Sequence, residues 1–138
     1  LTEMVRMLSP KMNDGASIMA LTYYGSTRYM QSYNVMGVAK AALETSIKYL
    51  AVDMGDRGIR VNAISAGPMR TLAGAVINKS RKIYNYTIEN SPIKKPLSLE
   101  DIGKSSVYLM SDLSKGVTGE ILYVDNGYNN VGMSIQDL

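Results

Sequence analysis

Strand-like runs that alternate with helical patterns constrain the fold of this chain more than any other feature. The strand-like runs cover residues 16–22, 59–65 and 119–124, and the helical patterns cover residues 3–13, 31–55 and, from a Ser-Leu-Glu-Asp start, about 98–110. Strands that alternate with helices pair in parallel, because each helix carries the chain back to the starting edge of the sheet. The pattern therefore predicts an α/β fold with a parallel sheet flanked by helices.

Tyr33 and Lys40 are the candidate proton donor and its electrostatic helper. They stand seven residues apart in the segment QSYNVMGVAKA, and on a helix this spacing brings two side chains to within about 20° of each other. A nearby ammonium stabilises a phenolate, so we expect Lys40 to lower the Tyr33 pKa from its ordinary value of about 10. The alternative interpretation is an exposed helix face, which produces the same spacing by chance.

A second block, residues 59–73, changes abruptly from strand chemistry to turn chemistry. Val61 and Ile64 suit a buried strand, and the sequence Ala66-Gly67-Pro68 ends it. Backbone donors that follow such a strand lie at the carboxyl edge of the sheet, where α/β proteins bind ligands. The block therefore predicts a ligand-binding turn.

Composition excludes several kinds of chemistry for these 138 residues. They contain no Cys and no His, so zinc ligation, thiol nucleophiles and histidine acid–base catalysis are excluded, and no metal site is expected. Tyrosine and lysine must carry any proton transfer. We find no signal peptide and no apolar run near the ~18 residues of a membrane span, so we expect a cytoplasmic protein without a membrane segment.

Tyr-x6-Lys followed by Arg-Val-Asn-x-Ile-x-x-Gly-Pro resembles the signature order of short-chain dehydrogenase/reductases. Three finer segments, 33–37, 65–72 and 119–125, resemble the bacterial NADH-dependent enoyl-acyl carrier protein reductases, and the resemblance covers nearly the whole chain. It implies a Rossmann-type, doubly wound parallel sheet and a homotetramer. It also implies that NADH, with NADPH left open, reduces the trans-2 double bond of enoyl-acyl carrier protein thioesters in fatty acid biosynthesis.

The resemblance also implies roles for individual residues. Tyr33 would donate a hydrogen bond to the enolate oxygen, Lys40 would hold the nicotinamide ribose, and Tyr23 would border the thioester as a further catalytic and substrate-binding residue. The other residues expected to bind the cofactor are Gly67, Pro68, Met69, Arg70, Thr71, Leu72 and Ala73. Met36 and Ile77 are expected to contact the acyl chain.

Ala20 distinguishes between two activities within the superfamily. Carbonyl-reducing members place a serine thirteen residues before the active tyrosine, where this chain has Ala20, whereas enoyl reductases have a tyrosine ten residues before it, matched by Tyr23. Ser17 or Thr22 would replace the serine only if the strand slipped, which would turn the other side chains to the wrong face. A 3-oxoacyl or other carbonyl reductase remains the alternative, and a non-catalytic fragment is a second one.

Members of this family are about twice as long as this chain, and no glycine-rich pyrophosphate-binding turn occurs in it. We therefore expect residues 1–138 to be the carboxyl-terminal half of a single Rossmann-type reductase domain. The fragment alone is expected to be inactive.

Residues 72–91 have weak helical periodicity, so we expect a mobile substrate lid there. The surrounding stretch 70–95 contains six basic residues and one acidic residue, whereas residues 96–138 contain two basic and six acidic ones. A solvated surface is the alternative interpretation. Without an aromatic platform or nucleic-acid module beside it, the basic stretch favours an acidic carrier protein as partner and not a nucleic acid.

Overall fold

The computed structural model describes residues 1–71 and 80–133. Its sheet has three strands, β1 (Ser17–Thr22), β2 (Arg60–Ala66) and β3 (Ile121–Val124), in the spatial order β1-β2-β3. Both pairings are parallel, with Ala20 opposite Ala63 and Ser65 opposite Tyr123. The predicted parallel α/β sheet is confirmed.

Four α-helices accompany the strands in the described residues. They are α1 (Thr2–Leu8), α2 (Val35–Asp53), α3 (Ser80–Asn90) and α4 (Leu99–Met110). The predicted start of α4 is confirmed, because Ser98 and Asp101 form a reciprocal capping box at its amino terminus. None of the helices in the described ranges is both long and apolar enough to cross a membrane.

Helix α2 begins four residues later than the sequence predicts. The segment 31–34 forms turns, and α2 starts at Val35. Ser32 and Asn34 have φ angles of 67° and 49°, which a right-handed helix does not allow. Tyr33 therefore lies in the turn before the helix, and its expected place on one helical face with Lys40 was wrong.

The strands bury side chains on both faces of the sheet. On one face, Val61 and Ala63 of β2 pack with Ile47 of α2 and Val5 of α1. On the other face, Ile64 forms a second core with α4 side chains and with neighbouring strand residues. Because successive strand residues point to opposite faces, β2 is buried on both faces, and helices lie on both sides of it as a doubly wound sheet requires.

Two buried polar side chains of β2 bond the end of α4 and the segment that leads into β3. Arg60 donates hydrogen bonds to Leu109 O (2.9 Å) and Ser111 O (3.1 Å) at the end of α4. Asn62 donates to Val117 O (2.9 Å) and accepts from the Glu120 amide (3.0 Å). Buried polar groups require such partners, and these bonds hold the segment that leads into β3 against β2.

Candidate active site

A cavity of about 170 Å³ lies beyond the carboxyl ends of β1 and β2. Four chain segments meet there: the end of β1, the turn before α2, the turn after β2, and the first half of α3. The lining residues are Tyr23, Met30, Gln31, Tyr33, Gly67, Pro68, Met69, Thr71, Ser80, Ile83 and Tyr84. A protein cavity of ~150 Å³ accommodates a benzene molecule, so this one has room for an aromatic ring or a short acyl segment.

Tyr23 and Tyr33 contact each other at the cavity wall. Their ring centroids are 4.9 Å apart and their planes are inclined by 64°, an edge-to-face arrangement. Gly25 permits this contact, because a Cβ atom there would stand 2.6 Å from Tyr33 Cδ1. Gly37 permits the approach of α2, because its Cβ would stand 2.7 Å from Gly25 O. The sequence-predicted tyrosines are therefore brought together by two glycines.

Burial raises the pKa of the Tyr33 hydroxyl above its ordinary value. The expectation that Lys40 lowers this pKa was wrong for the described structure, because removal of the phenol from water disfavours its charged form. Burial also raises the pKa of Tyr23, and repulsion from Tyr33 and Tyr128 adds to the effect. Both phenols are therefore protonated at neutral pH and can act as hydrogen-bond donors.

Lys40 lies beside the same strand end but does not line the cavity. Its Nζ donates a hydrogen bond to Leu21 O at 2.9 Å. Leu21 is two residues before Tyr23, so Lys40 is bonded to the end of the strand that leads into Tyr23. Its contact with a ribose stays a prediction.

The turn after β2 forms a second wall of the cavity. The Gly67 amide donates to Val124 O (2.9 Å), and a Cβ at Gly67 would stand 3.0 Å from Asp125 Cα. This close packing against the end of β3 directs Pro68, Met69 and Thr71 to the cavity. The predicted ligand-binding turn thus adjoins the tyrosine pair.

Arg70 follows in the same turn and contacts α3 without lining the cavity. Its Cζ lies 5.1 Å from the centroid of the Tyr84 ring, a cation–π distance. The predicted positions Leu72, Ala73 and Ile77 lie outside the described residues. Arg70 therefore connects the turn after β2 to the helix that closes the far side of the cavity.

The structure separates Met36 from the cavity and adds residues that sequence reasoning missed. Met36 is 48% exposed in the first turn of α2 and does not line the cavity. Met30 and Gln31 line it instead, and their only sequence signal is their position shortly before Tyr33. Ile83 and Tyr84 also line it, and the weak periodicity of the expected lid includes both.

The hydroxyls that could replace the missing serine are directed elsewhere. Ser17 donates to Leu109 O (2.8 Å), and Thr22 donates to the Glu44 carboxylate (2.7 Å). Ala20 packs against the core between the sheet and α2. Tyr24, which neighbours Tyr23, contacts Tyr128 edge-to-face, with ring centroids 5.7 Å apart. None of these side chains lines the cavity. The tyrosines that line it are Tyr23, Tyr33 and Tyr84.

Known proteins resemble this chain in sequence and in structure. A family model described as enoyl-(acyl carrier protein) reductase matches residues 1–129. The Rhizobium meliloti protein named enoyl-acyl-carrier-protein reductase (NADH) 1 is 60% identical over 126 residues, which cover 91% of this chain and 46% of that protein.

Two solved structures have the same fold. The Anaplasma phagocytophilum enoyl-acyl-carrier-protein reductase in complex with NAD superimposes with a TM-score of 0.91 at 50% identity, covering 98% of this chain and 52% of that one. The Bacillus cereus reductase with NADP+ and an indole naphthyridinone has a TM-score of 0.92 at 47% identity, covering 96% and 51%. This chain spans about half the length of the curated relatives it matches. The parallel sheet, the tyrosine pair at its carboxyl edge and these matches show that the chain belongs to the enoyl-(acyl carrier protein) reductase family.

Proposed function

We propose that the protein containing this chain reduces the trans-2 double bond of enoyl-acyl carrier protein thioesters in bacterial fatty acid biosynthesis. The observation that carries the proposal is the cavity in which Tyr23 and Tyr33 face the turn Gly67–Met69. Two protonated phenols at an apolar cavity suit a reaction in which a thioester carbonyl becomes an enolate. Hydrogen bonds aimed at the developing negative charge lower the barrier of such a reaction.

The residues after β2 fit a nicotinamide cofactor by their chemistry and position. Gly67 is buried and close-packed, Pro68 and Met69 present an apolar surface, and Thr71 is among the lining residues. NADH, when bound, supplies the hydride that the β-carbon of the substrate accepts. We assign Gly67, Pro68, Met69, Arg70 and Thr71 to cofactor binding. Relatives named for NADH favour this cofactor, and the NADP+ complex of the Bacillus cereus protein keeps NADPH as a second candidate.

Tyr33 is the residue that we assign to the enolate oxygen. Its raised pKa keeps the proton on the hydroxyl, so the side chain can stabilise the negative oxygen by donation and can then supply a proton. Tyr23 contacts the Tyr33 ring edge-to-face and forms the neighbouring wall, where it borders the thioester. Lys40 is assigned to the ribose and to the local positive potential, since its ammonium bonds the Leu21 carbonyl two residues before Tyr23.

We further propose that residues 1–138 form the carboxyl-terminal half of one reductase domain. The coverage of about half of each relative supports this division. Several apolar side chains of α2 are exposed, including Val35 (73%), Val38 (70%) and Val52 (80%). Such a surface supports self-association, in line with the homotetramer that we propose for the whole, cytoplasmic protein.

The basic stretch around α3 is the surface that we assign to the acyl carrier protein. Arg81 and Lys82 lie in the first turn of α3, next to the cavity-lining Ser80 and Ile83. Positive side chains near a cleft raise the rate at which an acidic partner meets it. The carrier would then deliver its thioester beside the tyrosine pair.

Steady-state assays of the full-length protein test the proposal. Crotonyl and acetoacetyl thioesters are offered with NADH or NADPH, and oxidation of the cofactor is followed. We expect turnover of the crotonyl thioester with NADH and little turnover of the acetoacetyl thioester. The reverse preference would establish the carbonyl reductase alternative, and turnover of neither substrate would favour the non-catalytic one.

A further inference from the structure

Glu44 is a buried carboxylate that has no part in the reaction proposed above. Its residue is 8% exposed, near the middle of α2. Its Oε1 accepts a hydrogen bond from Thr22 Oγ1 at 2.7 Å, and Thr22 is only 4% exposed. Burial of a carboxylate is unfavourable unless hydrogen bonds compensate. We therefore ask what the bond between Glu44 and Thr22 holds in place.

The position of Lys40 suggests that role. Lys40 precedes Glu44 by four residues on α2, so the two side chains lie on the same face in consecutive turns. Lys40 Nζ donates to Leu21 O at 2.9 Å, while Glu44 accepts from Thr22. Consecutive turns of α2 therefore hold consecutive residues of β1.

These two bonds fix the strand end that carries Tyr23. β1 ends at Thr22 and Tyr23 follows directly, whereas Tyr33 lies two residues before the start of α2. The tyrosine rings meet at 4.9 Å across the junction between strand and helix. The bonds join strand to helix without passing through the intervening loop, so they set the distance between the parts that bear the two rings.

We propose that Glu44 and Thr22 are positioning residues for Tyr23 and Tyr33, an assignment that rests on the proposed function where it concerns turnover. Loss of the bond lets the end of β1 shift along α2 and changes the position of the Tyr23 hydroxyl relative to Tyr33. Displacements of about 1 Å can lower a rate by about 100-fold. Cofactor binding is assigned to the turn after β2 and to Lys40, and because the substitutions leave both in place, NADH affinity should change little.

The test uses the full-length protein with four variants. Thr22→Val removes the donor and nearly keeps the shape, whereas Thr22→Ser and Glu44→Gln keep a donor and an acceptor. Thr22→Val alone leaves the buried Glu44 carboxylate without this donor, which could prevent folding. The double variant Thr22→Val with Glu44→Leu removes both partners and therefore tests the role of the bond even if the single variant does not fold. We expect Thr22→Val and the double variant to lower kcat about tenfold, inside the range that such displacements cause, with NADH Kd within about twofold of wild type.

A second measurement does not depend on activity. NMR of protein labelled with ¹³C-tyrosine reports the Tyr23 and Tyr33 ring signals, and Tyr49 of α2, which is 70% exposed, is the internal control. Thr22→Val and the double variant should shift the signals of the tyrosine pair and leave the Tyr49 signal unchanged. The conservative variants should retain the wild-type spectrum and kcat.

The outcomes separate the two proposals. If the wild-type protein does not reduce enoyl thioesters, the proposed function fails, while the ring signals still test the positioning. Wild-type ring signals and kcat in the folded double variant would overturn the positioning role. If kcat falls only in proportion to the fraction of protein that still binds NADH, the positioning role is also overturned, because the loss then reflects partial unfolding.

Discussion

The Tyr33 ring lies against Gly25 so closely that a Cβ atom on the glycine would stand 2.6 Å from Tyr33 Cδ1 and 2.9 Å from Cε1. Gly25 follows Tyr23 by two residues, and Gly37 of α2 packs on its carbonyl oxygen. The absence of a side chain at this position therefore brings the end of β1 and the start of α2 into contact.

Gly25→Ala should displace the Tyr33 ring and lower kcat of the full-length enzyme by about tenfold or more, given the sensitivity of rates to ~1 Å displacements. The thermal unfolding midpoint should also fall, since overpacking costs about 1–3 kcal/mol. Gly103→Ala is the matched control, because nothing lies within 4 Å of its added Cβ. Unchanged kcat in Gly25→Ala would contradict the close-packing argument.

Tyr33 and Lys40 should contribute differently to turnover and cofactor binding. Tyr33→Phe should lower kcat with almost unchanged NADH affinity, since only its hydroxyl is assigned to the enolate. Lys40→Ala should weaken both, because the ammonium is assigned to the ribose and also bonds Leu21 O. Equal and small effects of the two substitutions on kcat and on calorimetric NADH affinity would refute this division of roles.

The raised pKa values of Tyr23 and Tyr33 predict the alkaline behaviour of the enzyme. Tyrosine in the unfolded chain ionises at about pH 10, whereas the folded phenols stay protonated to higher pH. Below about pH 10, the folded and unfolded states both keep the tyrosine protons, so stability does not depend on them. Above about pH 10, the unfolded state loses these protons first, so the free energy of unfolding falls as pH rises.

Urea unfolding between about pH 8 and pH 11 measures this effect. Above about pH 10, the ordinary pKa of tyrosine, the free energy of unfolding should fall less steeply with pH in Tyr33→Phe than in the wild type. The kcat of the wild type should not decrease with rising pH near neutrality, because Tyr33 keeps its proton there. A basic limb in kcat near neutral pH that disappears in Lys40→Ala would instead show that Lys40 lowers the Tyr33 pKa once cofactor is bound.

The contact between Arg70 and Tyr84 should influence cofactor affinity. An exposed cation–π contact contributes about 0.5–1 kcal/mol, so Tyr84→Leu should weaken NADH binding by about two- to fivefold. Tyr84→Phe is the control, because it retains the aromatic face. Comparable losses in both variants would assign the effect to the Tyr84 hydroxyl at the cavity.

Charge reversal around α3 tests the carrier protein. Arg81→Glu with Lys82→Glu should lower kcat/KM for an enoyl thioester bound to the carrier and flatten its dependence on salt. A short uncharged thioester should be affected little, and Lys115→Glu, in the turn after α4, serves as a distant control. Equal losses with both substrates would indicate a folding defect, and no loss would identify the basic stretch as solvated surface.

Local sequence determined the strands and most of the helices, whereas Tyr23 was selected through the family resemblance. The buried run of β2 and its Gly67-Pro68 end follow from hydrophobicity and turn chemistry, and the capping box of α4 follows from Ser98 and Asp101. These features depend on neighbours within a few residues, so a single sequence is enough to predict them.

Tertiary structure alone decided how the site is assembled. The positive φ angles of Ser32 and Asn34 place Tyr33 before α2, although the surrounding residues have a helical pattern. Burial raises the pKa of Tyr33, whereas its spacing to Lys40 had suggested that this pKa would fall. Likewise, the bond between Thr22 and Glu44 and the stack of Arg70 on Tyr84 join residues that are distant in sequence. Desolvation and long-range contacts depend on which segments pack together, and no local pattern of residues encodes them.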